Sequence, residues 1–261
     1  RRGRTARRDG SASRPPLPRA LTPHSVVDFR TCPKLFEYRH VLGKAELVEP
    51  RAYAQWLVRT VLGRLLKGPS DRRSIWNARA ILKEVLSEDE DITTFPGDQL
   101  RSCLEQAVSG INAYFTLEIP RDVNVLSVWR ELQAGIEGAP AEVPILRSLR
   151  GAPERVDAGA AGGEGAATVV DFKTVPEQGA SPADADADAD WLRLSMQAWL
   201  LRESREVSCG KVQARLLDLS GEGDEELREL SPGDLDRAGR AAREAREAVL
   251  RAAADPLGFQ P

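Results

Sequence analysis

The sequence predicts a mixed α/β fold in which helices flank a sheet and a helical insertion precedes the strands. Apolar residues recur at steps of three and four through the first half of the chain, which is the spacing of amphipathic helices. Between about 121 and 220 several short runs change to a period of two, the spacing of strands. Helical spacing returns at about 233–254, so helices bracket the strand-rich part.

The composition allows one large domain with an ordinary core. The chain has 261 residues, of which 41% are apolar and 30% charged, and its net charge is −3. A chain of this charge binds nucleic acid only through local basic surfaces. No apolar run reaches the roughly 18 residues of a membrane span. Three scattered cysteines provide neither a disulfide framework nor a zinc motif, so a cytoplasmic location is expected.

The first 20 residues differ from the rest of the chain. Residues 1–20 contain many arginines among Ser, Gly and Pro, which predicts a disordered basic segment. This segment is either an arm that touches DNA phosphates or a linker from a longer parent chain. The chain begins with Arg1 rather than Met, so a fragment of a larger polypeptide is one expectation.

The domain itself is expected over 21–261, with a helical part at about 21–120. Its first helix begins where the hydroxyl of Thr22 precedes Pro23, a capping residue followed by proline in the first turn. Part of this region, about 71–118, is interpreted as a helical insertion into the α/β core. The stretches expected to be helical are about 22–38, about 50–67, about 71–88 and about 100–115.

The sheet core is expected at about 121–220, with a C-terminal helix at about 233–254. A Gly/Ala-rich hairpin loop at about 158–166 separates two of the strands. The acidic Asp-Ala repeat that ends the stretch 176–190 predicts a solvated loop, and a helix follows it at about 191–204. The expected strands are about 123–130, about 142–149 running on to 157, about 167–175 and about 211–219.

One strand carries residues that a buried strand does not ordinarily contain. In Val-Val-Asp-Phe-Lys-Thr-Val, residues 169–175, alternation places Asp171 and Lys173 on one face. A carboxylate and an ammonium inside an apolar strand cost free energy unless they pair or bind something. One hypothesis is that Asp171 binds a divalent cation and Lys173 assists phosphodiester hydrolysis. The competing interpretation is a surface ion pair on a helical scaffold without catalytic function.

A hard cation such as Mg²⁺ or Mn²⁺ needs further oxygen ligands. Glu154 is expected to lie across the hairpin from Asp171 and is the first choice for the second carboxylate. Asp157 competes with it for this role. Glu131, at the end of an earlier strand, is a candidate outer ligand.

Four segments together resemble a known family, the RecB-like PD-(D/E)xK nucleases. Cys-Pro-x-x-Phe-x-Tyr at 32–38 resembles the motif of their first helix, and residues 151–157 resemble their Gly-x-x-Asp-Arg-x-Asp strand. Residues 170–174 resemble their Asp-Tyr/Phe-Lys-Thr strand, and 196–201 resemble the helix that carries Gln-x-x-x-Tyr. The resemblance implies a restriction-endonuclease-like fold and DNA cleavage, often beside a helicase domain or subunit in DNA repair and recombination.

The resemblance also implies roles for individual residues. Glu154, Asp171 and the Phe172 carbonyl would be metal ligands. Lys173 would be the catalytic lysine, and Gln197 would support the site or touch DNA.

The chain departs from the family pattern at three of these positions. Glu154 stands for an aspartate, Arg59 for a histidine on the first core helix, and Leu201 for a tyrosine. These departures leave open a catalytically degenerate module that binds DNA or a helicase partner. Some relatives hold an iron–sulfur cluster, but Cys32 matches only one of its four ligands, so no cluster is expected. Cys32 is instead interpreted as a buried core thiol.

Overall fold

A computed structural model describes most of the chain. The described residues are 16–44, 50–89, 95–138, 146–158, 166–173, 183–205, 210–221, 223–255 and 258–260. Residues 1–15 of the segment predicted to be disordered lie outside the described residues. So do residues 159–165 of the predicted hairpin loop.

Seven α-helices are found in the described part of the chain. They are α1 Pro23–Thr31, α2 Pro33–Phe36, α3 Pro50–Lys67, α4 Ile75–Glu88, α5 Gly97–Leu117, α6 Ala183–Ser204 and α7 Pro232–Ala254. The first begins as the sequence predicts, because the Thr22 hydroxyl accepts a hydrogen bond from the Ser25 N–H and Pro23 occupies the first turn.

Eight strands of the described residues form two sheets. They are β1 Ala20–Leu21, β2 Val125–Val128, β3 Leu132–Gly135, β4 Ser148–Gly151, β5 Arg155–Ala158, β6 Ala166–Lys173, β7 Lys211–Asp218 and β8 Asp224–Leu230. The larger sheet has the order β2-β5-β6-β7-β8, and the smaller has the order β1-β4-β3.

The central strand β6 makes the larger sheet a mixed one. It pairs antiparallel with β5 and parallel with β7. In the β5–β6 register Arg155 lies opposite Val170. Glu154 immediately precedes Arg155 and Asp171 immediately follows Val170, so the two acids are neighbours at this end of the hairpin. This pairing agrees with the predicted hairpin.

Helices cover both faces of the larger sheet. Alternation along β6 sends Ala167 and Val169 into one core, which includes side chains of α1, α6 and α7. It sends Val170 and Phe172 into a second core, which includes side chains of α3, α4 and α5. The site residues on β6 therefore lie between the helical part and α6. None of the helices among the described residues combines the length and apolar character that a bilayer crossing needs.

The prediction of a single strand at about 142–157 is wrong. β4 ends at Gly151 and belongs to the smaller sheet, whereas β5 begins at Arg155 in the larger one. Pro153 lies between them, and proline has no N–H to donate to a ladder. Residues 142–145 of the predicted strand lie outside the described residues.

The prediction of an acidic loop at 176–190 is also wrong for residues 183–190, which the structure describes. Helix α6 begins at Ala183 and includes the Asp-Ala repeat. Alanine has the highest helix propensity, and aspartates are favourable near the positive end of the helix dipole. Residues 176–182 lie outside the described residues.

Candidate active site

The centre of the site is Asp171, whose side chain is buried at the end of β6. Its Oδ1 accepts a hydrogen bond from the backbone N–H of Phe172 at 2.9 Å. Its Oδ2 accepts two from Arg193 of α6, from Nε at 3.1 Å and from Nη2 at 2.9 Å. A backbone group and a paired guanidinium therefore fix both carboxylate oxygens.

Glu154, the residue before β5, supplies the second acid. Its Oε2 accepts a hydrogen bond from the indole Nε1–H of Trp129 at 2.7 Å. The Trp129 backbone N–H donates to the Pro153 carbonyl at 3.1 Å, which holds the indole beside this turn. Trp129 has a left-handed φ of 53°, an unfavourable conformation for a bulky residue that surrounding contacts must maintain.

Arg59 of α3 joins the two acids. Its Nη1 lies 3.3 Å from Glu154 Oε1, and its Nη2 lies 3.3 Å from Asp171 Oδ1. The same Nη2 donates to the Phe172 carbonyl at 2.9 Å. The three groups expected to ligate a metal thus converge on one cationic group, which is this guanidinium.

The two acids differ in their affinity for a proton. Burial alone would raise the pKa of Asp171, but the guanidinium groups of Arg193 and Arg59 outweigh burial and hold this pKa below its usual value. Burial raises the pKa of Glu154, and the negative charge of Asp171 adds to the effect despite Arg59. Asp171 is therefore the firmly ionised member of the pair.

Lys173, one pleat further along β6, has a different partner. Its Nζ lies 3.8 Å from Asp190 Oδ2 of α6, and Asp190 Oδ1 lies 3.0 Å from Arg193 Nη2. The Lys173 side chain is about one-third exposed. The ammonium thus lies at the margin of the site, where it is held loosely enough to exchange partners.

Gln197 lies one helical turn after Arg193 on α6, and only 8% of its surface is exposed. Its Oε1 is buried and has no hydrogen-bond partner among the residues that the structure describes. An unpartnered buried amide costs free energy unless a group outside the protein pairs with it. Leu201, where the family has a tyrosine, is buried in the apolar core on this side of the sheet.

Three other candidates do not join the site. Glu131 is exposed and pairs with Arg150 at 3.2 Å, so it is not an outer ligand. Asp157 pairs with the buried Arg155 at 2.8 Å, in a separate cluster with Glu118. Cys32 is only partly buried, so its interpretation as a core thiol is wrong.

Arg193, Asp190 and Trp129 are site residues that sequence reasoning missed. Arg193 precedes Gln197 by one helical turn, so the helical spacing from the Gln-x-x-x-Tyr-like motif was a usable signal. The sequence carries no comparable signal for Trp129, which lies between β2 and β3, outside the segments that resemble the family's motifs.

The donor set suits a hard divalent cation. Two carboxylates and one backbone carbonyl are oxygen ligands of the kind that Mg²⁺ and Mn²⁺ prefer. Across the described ranges, however, no group of three or more His, Cys, Asp or Glu side chains is arranged to hold a metal ion. A metal would therefore rely on Glu154, Asp171, the Phe172 carbonyl and water, and it would take the place of the Arg59 guanidinium.

A mixed sheet with two acids on its central hairpin and helices on both faces defines a restriction-endonuclease-like protein. The sequence model of the PD-(D/E)XK nuclease superfamily matches residues 20–261, and the chain belongs to this superfamily. The family resemblance drawn from the sequence is thereby confirmed at the level of the superfamily.

One solved structure with a TM-score above 0.5 has a similar fold. A protein from Eubacterium rectale named "Putative exonuclease" is similar with a TM-score of 0.53 and 10% identity, over 89% of this chain and 80% of that chain. A second structure, of SSO0001, has a TM-score of 0.34 and 13% identity over 79% of this chain and 80% of that chain. No curated protein is significantly similar to the chain.

Proposed function

We propose that the protein is a metal-dependent nuclease that hydrolyses phosphodiester bonds in DNA with Mg²⁺ or Mn²⁺. The convergence of Glu154, Asp171 and the Phe172 carbonyl on one cationic position carries this proposal. Superfamily membership supports it, and the resemblance of residues 151–157 and 170–174 to the family's motifs implies metal-ligand roles for both acids. In this proposal, residues 21–261 form a single nuclease domain.

When bound, a divalent cation would polarise the scissile phosphodiester and make a bound water more acidic. The protein's own residues prepare the site for it. Arg193 and the Phe172 N–H fix the Asp171 carboxylate, and Trp129 fixes that of Glu154. Preorganised ligands avoid reorganisation during the reaction.

Lys173 and Gln197 would act on the substrate. The Lys173 ammonium would leave Asp190 to orient the attacking water or to stabilise the negative charge that develops on the phosphoryl oxygens. The unpaired Gln197 carbonyl would accept a hydrogen bond from the substrate or an ordered water.

Cleavage of labelled DNA tests the proposal. The wild-type protein is expected to cut single- or double-stranded DNA in Mn²⁺ or Mg²⁺. Lys173→Ala is expected to lose about 10²- to 10³-fold in rate, the usual effect of removing one charge-stabilising group. Lys211→Ala is the matched control, because Lys211 is also on the sheet but is exposed in an ion pair with Glu229. Equal rates for Lys173→Ala and the control would refute the role of Lys173.

The RecB-like resemblance extends the proposal to an exonuclease in cytoplasmic DNA repair or recombination, acting with a helicase domain or subunit. An exonuclease requires a DNA end. We therefore expect cleavage of linear DNA and none of a covalently closed circle of the same sequence. Equal cleavage of both forms would contradict exonuclease action.

The alternative is a catalytically degenerate module that binds DNA or a helicase partner. The neutralisation of Asp171 and Glu154 by Arg59 and Arg193 favours this second candidate, because the acids already have cationic partners. DNA binding in Mn²⁺ without cleavage on any substrate would support it.

A further inference from the structure

Arg59 occupies the position that a metal ion would need. Its guanidinium lies within 3.3 Å of the oxygens of Glu154 and Asp171 and 2.9 Å from that of Phe172. The guanidinium of arginine is a positive charge in proteins. Two cations on the same oxygens repel each other strongly where water is excluded. Metal and guanidinium therefore cannot share these ligands.

The charges of the site already balance without a metal. Each acid has a cationic partner within 4 Å, and each cation has an acidic one. The acids are Glu154, Asp171 and Asp190, and the cations are Arg59, Lys173 and Arg193. A dication added to this set has no uncompensated negative charge to attract it, unless one cation leaves.

The carboxylate contacts of Arg59 are longer than those of Arg193. Both of its carboxylate contacts are 3.3 Å, whereas Arg193 Nη2 lies 2.9 Å from Asp171, within the usual range of charge-assisted hydrogen bonds. The Arg59 Nε is buried and has no acceptor among the described residues. Its side chain is nonetheless 27% exposed, so a route to solvent is open. Arg59 is therefore the cation that a competing anion can draw away.

We propose that Arg59 is a built-in cation that keeps the metal ligands closed until a DNA phosphate takes its guanidinium. The planar guanidinium of arginine can donate two hydrogen bonds to one phosphate. This contact would replace the two 3.3 Å contacts of Arg59 with Glu154 and Asp171. This inference rests on the proposed function, because it assumes that the acids are metal ligands. Metal and DNA then bind cooperatively, and each raises the affinity for the other by the same factor.

Mn²⁺ binding without DNA tests the inference independently of catalysis. Free Mn²⁺ is measured by its electron paramagnetic resonance signal during titration of the wild type, of Arg59→Met and of Arg64→Met. Methionine keeps an unbranched apolar stem but removes the charge. Arg64 is the matched control, because it lies on the same helix in an exposed ion pair with Glu88.

We expect Arg59→Met to bind Mn²⁺ about 5- to 150-fold more tightly than the wild type, the usual range of coupling between sites. Arg64→Met should bind as the wild type does. Adding Asp171→Asn to Arg59→Met should abolish the gain. Arg59→Lys keeps a positive charge and should bind Mn²⁺ as weakly as the wild type. If Arg59→Met does not fold, Arg59→His provides the charge-reduced comparison.

The DNA arm uses a short phosphorothioate oligonucleotide, which keeps the phosphate charge and resists hydrolysis. We expect it to raise Mn²⁺ affinity of the wild type, after subtraction of Mn²⁺ bound by the oligonucleotide alone, and to leave that of Arg59→Met unchanged. Equal Mn²⁺ affinity of wild type and Arg59→Met without DNA overturns the inference. If that result accompanies cleavage of DNA, the proposed function stands. A gain in Arg59→Met without cleavage by any variant supports the inference and refutes the nuclease proposal.

Discussion

Trp129 lies directly against Gly63 of α3: a Cβ added to Gly63 would be 2.0 Å from Trp129 Cζ2. The same indole donates its hydrogen bond to Glu154 at 2.7 Å. The close approach that glycine permits therefore sets the position of the acid through the indole. Lys67, one turn after Gly63, places its ammonium 4.4 Å from the centre of the Trp129 ring and adds a cation–π contact.

Gly63→Ala is expected to destabilise the protein by about 1–3 kcal/mol, because the methyl group forces the indole to move. Glu154 should lose its donor, and cleavage should fall together with stability. Chemical denaturation followed by tryptophan fluorescence measures the change. Gly97→Ala is the control, because a Cβ there meets nothing within 4 Å. Equal stability of both variants would show that the indole has room to shift.

Arg155→Met is expected to destabilise the protein by about 3–5 kcal/mol, because it removes the buried cation that pairs with both Glu118 and Asp157 and leaves Glu118 with Arg215 alone among the described cations. Arg155 is fully buried and donates to both oxygens of Glu118 at 2.7 Å each and to the Tyr114 hydroxyl at 3.0 Å. Urea denaturation measures the loss. Lys211→Met breaks an exposed pair instead and should change stability by less than about 1 kcal/mol. A loss for Arg155→Met no larger than this control would contradict the prediction.

Asp157 makes stability depend on pH in mildly acidic solution. Burial raises its pKa to about 6, although Arg155 lies 2.8 Å away. The folded state therefore binds this proton more tightly than the unfolded chain, whose Asp has a pKa of about 4. Its contribution to the free energy of unfolding is largest below about pH 4 and declines as pH rises to about 6.

Asp157→Asn removes the carboxyl group that binds this proton. The stability of the variant relative to the wild type is therefore expected to rise between about pH 4 and about pH 7. Urea denaturation at a series of pH values measures the difference. Parallel stability curves for the two proteins across this range would contradict the raised pKa.

Gln197→Met is expected to leave stability unchanged or to increase it, while DNA cleavage falls. The reason is that methionine removes the buried carbonyl that lacks a partner among the described residues and keeps a similar volume. Thermal denaturation and the cleavage assay are compared on the same samples. Loss of stability with unchanged cleavage would indicate a structural role for Gln197.

The sequence determined the helices, most strands of the larger sheet and the pairing of the two acids. Alternation along β6 identified the face of Asp171, and the hairpin pattern placed Glu154 opposite it, because strand periodicity and antiparallel register are local properties. The amphipathic spacing of α3 likewise matched the predicted helix. β8 was missed because its charged sequence, exposed at the sheet edge, has no apolar alternation.

Only the tertiary structure decided what surrounds those acids. Arg59 reaches Asp171 from 112 positions away in the sequence, Trp129 reaches Glu154 from 25 and Arg193 reaches Asp171 from 22. These contacts depend on how α3, α6 and β2 pack around the hairpin, and no local period encodes the distance between elements. The sequence thus predicted two acids as ligands for a cation, and packing decided that the cation beside them in the structure is an arginine.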